Sequence, residues 1–204
     1  MHDLLKRRDQ GHSIDVGILD FSKAFDTVPH KRLINKLRIY GIQGEILSWT
    51  ESFLSSRQQL ILCDGDKSEH CAVTSGVPQD TVLGPLLFLL HINDMPSVFD
   101  PRTSVRLFAD DTLINRVIHG IEDQVALQRD LASLEQWAST GGMVFNASKC
   151  HIMHISRPSS HSYQYTCINF VAVLSSVTSK NTSESISNTT SSQGRGDGSK
   201  ASTS

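Results

Sequence analysis

The sequence predicts an α+β fold, a mainly antiparallel sheet with helices on one face, followed by an unstructured Ser/Thr-rich end. Three observations predict it. Two apolar segments with strand periodicity, residues 14–20 and 105–110, each end in aspartate. Leu127, Leu131, Leu134 and Ala138 recur at helical spacing. From Ser159 onward, twenty of the last 46 residues are Ser or Thr.

Taken in order, a short helix over residues 2–9 leads through Gly11 into a strand over 14–20, where Ile14, Val16, Ile18 and Asp20 share one face. Pro29 opens a helix carrying Leu33, Ile34 and Leu37, which stops near Gly41. A second helix over 43–56 offers Ile46, Leu47, Trp49, Phe53 and Leu54 as its buried stripe. Residues 59–64 and 70–74 form a hairpin closed by the charged turn Asp64-Gly-Asp-Lys-Ser. Gly84-Pro85 starts a strongly apolar helix from Leu86 to about Asp94, placed under the sheet. Val105, Leu107 and Ala109 alternate with Arg106, Phe108 and Asp110, as in a half-buried strand, and Asp110-Asp-Thr turns it back into Leu113-Ile114. Gly141-Gly142 ends the helix of Leu127, and residues 143–145 and 150–155 supply two further short strands.

The acids carry the chemistry. An isolated Asp-Asp at a hairpin tip is ordinarily a polar turn, and the repulsion between the two costs stability unless a cation sits between them. Asp20 alters that reading. If the two Asp-ending strands are sheet neighbours, three carboxylates come within a few ångströms. That is the oxygen ligand set two Mg²⁺ ions need for in-line phosphoryl transfer.

Four blocks then fall in one order: Leu19-Asp-Phe-Ser-Lys-Ala-Phe-Asp-Thr-Val-Pro-His30, Ser75-Gly-Val-Pro-Gln-Asp-Thr-Val-Leu-Gly-Pro-Leu-Leu-Phe-Leu-Leu-His-Ile-Asn-Asp94, Phe108-Ala-Asp-Asp111 and Phe145-Asn-Ala-Ser-Lys-Cys150. In order and spacing they resemble the palm of reverse transcriptases from non-LTR (LINE-type) retrotransposons, over residues 1–158. The resemblance implies an RNA-directed DNA polymerase domain that adds dNTPs to a primer 3′-hydroxyl by a two-metal mechanism. Its implied cofactor is Mg²⁺, with Mn²⁺ as substitute, and its implied partners are an RNA template, a DNA primer and a dNTP. It places Asp20, Asp110 and Asp111 as metal ligands and catalytic residues, and Lys149 as general acid for the pyrophosphate leaving group. Phe25 falls where an aromatic ring excludes a 2′-hydroxyl, the alternative being a core aromatic. Gln79 falls near the nucleotide and template.

One position departs from the pattern. After Pro-Gln the family usually has Gly then Ser, and here Asp80 and Thr81 stand there. Asp80 adds a side chain and a negative charge in the nucleotide-binding block, and both oppose activity. About thirteen residues precede the first strand, too few for the family's fingers, and no thumb-like pattern follows residue 158. A catalytically inactive, truncated retrotransposon remnant is therefore the alternative function, with at most weak nucleic-acid or metal binding.

Composition sets further bounds. The net charge of −2 does not favour holding phosphates, although Lys31, Arg32, Lys36 and Arg38 share one helix and Lys6, Arg7 and Arg8 cluster near the start. The four cysteines form no Cys-x-x-Cys pair, and His151 and His154 point to opposite faces of a strand, so no zinc site is indicated. With no 18-residue apolar run and no signal-like start, an intracellular location, nucleus or cytoplasm, is expected, with no membrane partner. Residues 159–204 cannot bury enough apolar surface to offset their ordering entropy, so they are expected to be disordered, and the Arg195-Gly-Asp197 and sequon motifs there carry no weight.

Overall fold

The structure, a computed structural model, describes residues 6, 9–155, 165–167, 170–172 and 174–176. Strand β1 (Ser13–Asp20) is followed by α1 (Ala24–Thr27), α2 (His30–Ile39) and α3 (Gly44–Leu54). Four two-residue strands come next: β2 (Gln58–Gln59), β3 (Leu62–Cys63), β4 (Asp66–Lys67) and β5 (Cys71–Ala72). Then come α4 (Leu83–Ile92), β6 (Ser104–Phe108), β7 (Asp111–Ile118), α5 (Ile121–Gly141) and β8 (His151–Ile155). A 3-10 turn (Met95–Val98) follows α4, and short strands β9 (Tyr165–Cys167), β10 (Phe170–Ala172) and β11 (Leu174–Ser176) complete the described elements. Of the expected helix over 2–9, only Lys6 and Asp9 lie among the described residues, and both are helical.

The main sheet has the order β11-β8-β1-β7-β6, antiparallel throughout except where β11 joins β8. β1 is its centre, paired with β7 from Ser13–Ile118 to Asp20–Asp111 and with β8 from Ile14–Ile155 to Ile18–His151. Strand alternation then divides the residues between two faces. Leu19, Ile114 and Ile152 join the main core with Leu33 and Leu37 of α2, Leu87 and Phe88 of α4, and Leu127, Leu131, Leu134 and Ala138 of α5. Ile14, Val16 and Ile155 form a smaller apolar cluster on the other, more open face. Helices on one face and a mainly antiparallel sheet are what the periodicities predict.

The described residues after residue 158 depart from the expected lack of structure, since they form β9, β10 and β11. Tyr165 is fully buried in the main core, and its hydroxyl donates to the buried Asp15 carboxylate. Composition hides this because a single buried aromatic can anchor a polar segment. Apart from 165–167, 170–172 and 174–176, residues 159–204, including Arg195-Gly-Asp197 and both sequons, lie outside the described residues.

Local differences have local causes. On α3 the buried residues are Leu47, Thr50 and Leu54, while Ile46 and Trp49 are exposed and Trp49 stacks on Phe53. The apolar stripe is two residues wide, and only its Leu47–Leu54 edge meets the core. α4 begins at Leu83, because the Thr81 hydroxyl accepts the Gly84 N–H, and its Leu86 and Leu89 face outward. The predicted five-residue hairpin turn is in fact Asp64-Gly65, both at positive φ, so Asp66 and Lys67 belong to a strand. Residues 143–145 make one bridge, Phe145 to Phe21, rather than a strand.

α5 ends as a Schellman motif, with Gly142 N–H bonding Ser139 O and Met143 N–H bonding Ala138 O. Two of the four basic residues of α2 serve packing, while Lys31 and Arg38 are exposed. Arg32 donates to Thr140 O, and Lys36 bonds Asp94 and His91 O while lying over the Trp137 ring. Among the described residues no helix is long and apolar enough to cross a membrane.

Candidate active site

The register of β1 and β7 sets Asp20 directly opposite Asp111, and β6 adds Phe108 opposite Asp111 in the next strand. All three stand on the face away from the helices, where Phe108 is exposed. Asp110 is in the turn just before Asp111, after Ala109 at φ +53°, a left-handed conformation that makes the hairpin tip tight. Burial raises the Asp111 carboxyl above the usual carboxylate range, Asp110 and Asp20 raise it further, and Lys149 lowers it.

The backbone of Asp20 is held by the block that begins at Phe145. Asn146 N–H donates to Asp20 O at 2.9 Å, and the Cys150 thiol approaches the same oxygen at 3.7 Å. The Asn146 side chain accepts Ser148 N–H and hydroxyl, which closes a turn just ahead of Lys149. That turn delivers the Lys149 Nζ to 3.2 Å from Asp20 Oδ2. Asp20 Oδ1, in contrast, is buried with no donor among the described residues. An anionic oxygen left so is strongly disfavoured unless a cation comes to it.

A second pair of blocks is stitched together on the helix side. Val77 N–H donates to Phe25 O, Gly76 N–H to Val28 O, and the Ser75 hydroxyl to Asp26 O. Gly76, at φ +88°, lies so close that a Cβ would stand 2.8 Å from the Asp26 backbone. Gly84 likewise admits no side chain, since a Cβ would stand 1.8 Å from Pro78 O. Phe25 is half-buried and stacked on Phe88, with centroids 4.7 Å apart. The Gln79 amide donates to Asp26 Oδ1 at 3.0 Å. Asp80 is exposed at φ +57°, in the left-handed region that favours glycine. The sharp bend survives the loss of glycine, and Asp80 adopts it with strain.

Gln79 and Asp26 line a cleft of about 480 Å³ that also contains Lys23, Arg57 and Gln59. Sequence reasoning did not single out Lys23 or Arg57. Lys23 sits inside the Asp20 block and could have been found there, but Arg57 reaches the cleft only through the fold.

The structure thus brings Asp20, Asp111 and Lys149 together, with Asp110 adjoining, and groups Phe25, Gln79 and Asp80 in the neighbouring block. Among the described residues no three His, Cys, Asp or Glu side chains converge as a ready-made metal cage. The all-oxygen donors and the unpartnered Asp20 Oδ1 nevertheless suit a hard divalent cation.

Residues 4–181 match the family described as reverse transcriptase (RNA-dependent DNA polymerase). The chain is 34% identical over 140 residues to the RNA-directed DNA polymerase from mobile element jockey of Drosophila melanogaster, across 65% of this chain and 15% of that protein. It is 27% identical over 161 residues to the Pol polyprotein from type-1 retrotransposable element R2 of Popillia japonica, across 73% of this chain and 26% of that protein. It therefore spans a minor part of the curated relatives it matches. Telomerase from Candida tropicalis, solved with a fragment of telomeric RNA, superposes with TM-score 0.56 at 14% identity, across 82% of this chain and 29% of that one. At that identity the likeness is one of fold. On the family match, and on its relatives among LINE-type elements, this chain belongs to the reverse transcriptase family of non-LTR retrotransposons.

Proposed function

We propose that the chain provides the palm of an RNA-directed DNA polymerase that adds dNTPs to the 3′-hydroxyl of a DNA primer on an RNA template. The observation that carries this reading is Asp20 opposite Asp111, with an Asp20 oxygen buried and unpartnered. Asp20, Asp110 and Asp111 would hold Mg²⁺, or Mn²⁺ in its place. Bound divalent ions supply charge stabilisation to both the attacking and the leaving oxygen of phosphoryl transfer.

The chain's own residues do the rest. Phe25, pinned by Phe88, presents a fixed ring that excludes a 2′-hydroxyl. Lys23 and Arg57, in the Gln79 cleft, offer positive charge to a triphosphate. Gln79, held by Asp26, keeps its carbonyl free for a base or sugar. Lys149 carries a proton within reach of the site and gives it to the departing pyrophosphate. The proposed setting is intracellular, in nucleus or cytoplasm.

A second reading, a folded but catalytically silent palm, draws on Asp80. Asp80 directly follows Gln79 of the cleft, adds a carboxyl side chain to that segment and holds a strained backbone. Residues 1–204 by themselves are expected to show no processive synthesis. In-line transfer needs reactants held about 3–3.5 Å apart, and lost positioning is worth up to roughly 7–11 kcal/mol of barrier.

The test is primer extension on RNA by a chimera in which the 140 residues matched in the jockey polymerase are replaced by their counterpart from this chain. Synthesis that falls on the order of 10²-fold or more in Asp110→Asn supports the enzyme. Synthesis indifferent to Asp110→Asn overturns it, and synthesis that appears only with Asp80→Gly establishes the second reading.

A further inference from the structure

A cleft lies at the other end of the sheet from Asp20. It measures about 800 Å³ and is lined by Gln10, His12, Arg102, Ser104, His119 and Asp123 among others. We propose that His12 and His119 in this cleft form a binding site for a divalent transition-metal ion, clipping β1 to β7.

The strand register produces the pair. Ser13 is the last residue of β1 in register, opposite Ile118, so His12 and His119 continue the ladder as the next facing pair. Directly opposed residues of antiparallel strands carry Cβ atoms roughly 4.5–5.5 Å apart, close enough for one ion to reach both side chains. The two rings already meet, with centroids 5.7 Å apart and planes at 85°. Two imidazoles on one tetrahedral ion, with metal–nitrogen bonds of about 2.0–2.1 Å, have centroids roughly 5 Å apart. Half an ångström of adjustment (about the difference between these spacings) is available because both side chains are exposed.

The neighbours decide what kind of ligand fits. Arg102 is engaged by Asp100 at 3.5 Å and by Asp123 at 3.8 Å, so the cleft holds no surplus positive charge for an anion. Asp123 is tied to Arg116 and accepts the His119 backbone N–H, and is thus a structural carboxylate rather than a third ligand. That leaves two imidazoles, with water filling the remaining positions in an open cleft. Imidazole suits Zn²⁺, Ni²⁺ and Cu²⁺, whereas Mg²⁺ prefers oxygen. The site is chemically and spatially distinct from the Asp20–Asp111 pair, since eight strand residues at about 3.3 Å each separate the two ends. An ion bound here stabilises the register of the two strands that carry Asp20 and Asp111, because it binds the folded state.

Calorimetric titration of the full 204-residue chain with Ni²⁺ and with Zn²⁺ tests this, together with thermal melts in the same ions. One ion per chain that depends on both His12 and His119 is expected, with a raised Tm. His12→Ala and His119→Ala should each weaken affinity by at least about tenfold, the scale set by outer-shell losses at metal sites. His70→Ala and His151→Ala, exposed imidazoles elsewhere, should leave it unchanged. Mg²⁺ should not compete. Affinity unchanged in both His12→Ala and His119→Ala, loss of binding in His70→Ala or His151→Ala, or no saturable binding below about 1 mM would each overturn the site.

Discussion

Asp15 and Asp20 stand on the same strand, and both are buried, yet their surroundings differ in kind. Asp15 faces the helices, and each of its oxygens has a donor, one from His154 and one from the Tyr165 hydroxyl. Beside it, in register, Arg116 is 1% exposed and engages Asp123, Asp100 and Asp130. Asp20 faces the open side, with one oxygen unpartnered and the other on a half-exposed lysine. The carboxyls at the two ends shift in opposite directions. Burial raises Asp123, but the His119 N–H and the guanidinium groups of Arg116 and Arg102 prevail and hold it below its usual value. Burial, Asp110 and Asp20 raise Asp111. Acids that build the fold are neutralised by fixed partners, whereas those of the candidate site are left short of one, so that a cation gains by binding.

Arg116→Met strikes the neutralised end hardest. It leaves Asp123 and Asp130 without their buried cation, and a loss of about 3–5 kcal/mol in urea unfolding is expected. A loss below about 1 kcal/mol would mean the network is ornamental and the contrast false. Tyr165→Phe removes one donor from Asp15 and should cost about 1.5–3 kcal/mol, the scale of a hydrogen bond to a charged group. No change in the melt would place residue 165 outside the core.

Asp111→Asn probes the other end, with the opposite sign. A carboxyl raised above 3.8 opposes folding when ionised, and that penalty fades as pH falls through the raised value toward 3.8. The variant should therefore be more stable than wild type at neutral pH, by under about 1 kcal/mol given its exposure, and the gap should close in acid. Asp123, depressed below 3.8, contributes stability above that value and loses it as pH falls through the depressed one. Melts against pH that ran parallel for wild type and Asp111→Asn would erase the difference between the ends. Asp80→Gly is the smallest effect. Relief of the left-handed backbone, partly offset by glycine's greater unfolded entropy, should stabilise by on the order of 0.5 kcal/mol. A destabilised variant would show that the Asp80 side chain makes a useful contact.

Much of the architecture was legible because its signals are local. Leu127, Leu131, Leu134 and Ala138 are buried as their spacing demands, and the Gly142 cap sits where the paired glycines place it. The alternation in residues 104–108 reads directly as half-burial. Periodicity could not say which edge of a broad apolar stripe meets a neighbour, so Ile46 and Trp49 were assigned to a core that Leu47 and Thr50 occupy. Tertiary pairing was equally hidden. The partners of Arg32 and Lys36 lie on distant elements, as does the cleft that Arg57 enters. In the candidate site, motif order located Asp20, Asp110, Asp111 and Lys149, but the grip of Gln79 on Asp26 spans 53 residues of sequence and leaves no local trace.

The central position of β1 has a temporal side. Asp15 lies 139 residues ahead of His154 in the chain. At synthesis rates of about 5–20 residues per second, β1 waits on the order of 10 s for its last partner. During that wait the β8-facing edge of Ile14, Val16 and Ile18 stays open, an apolar strand edge of the kind that recruits other chains. A charged residue in the middle of such a strand deters that pairing. Asp15 therefore guards the nascent strand while it is alone, and becomes a fixed joint of the core once His154 and Tyr165 arrive.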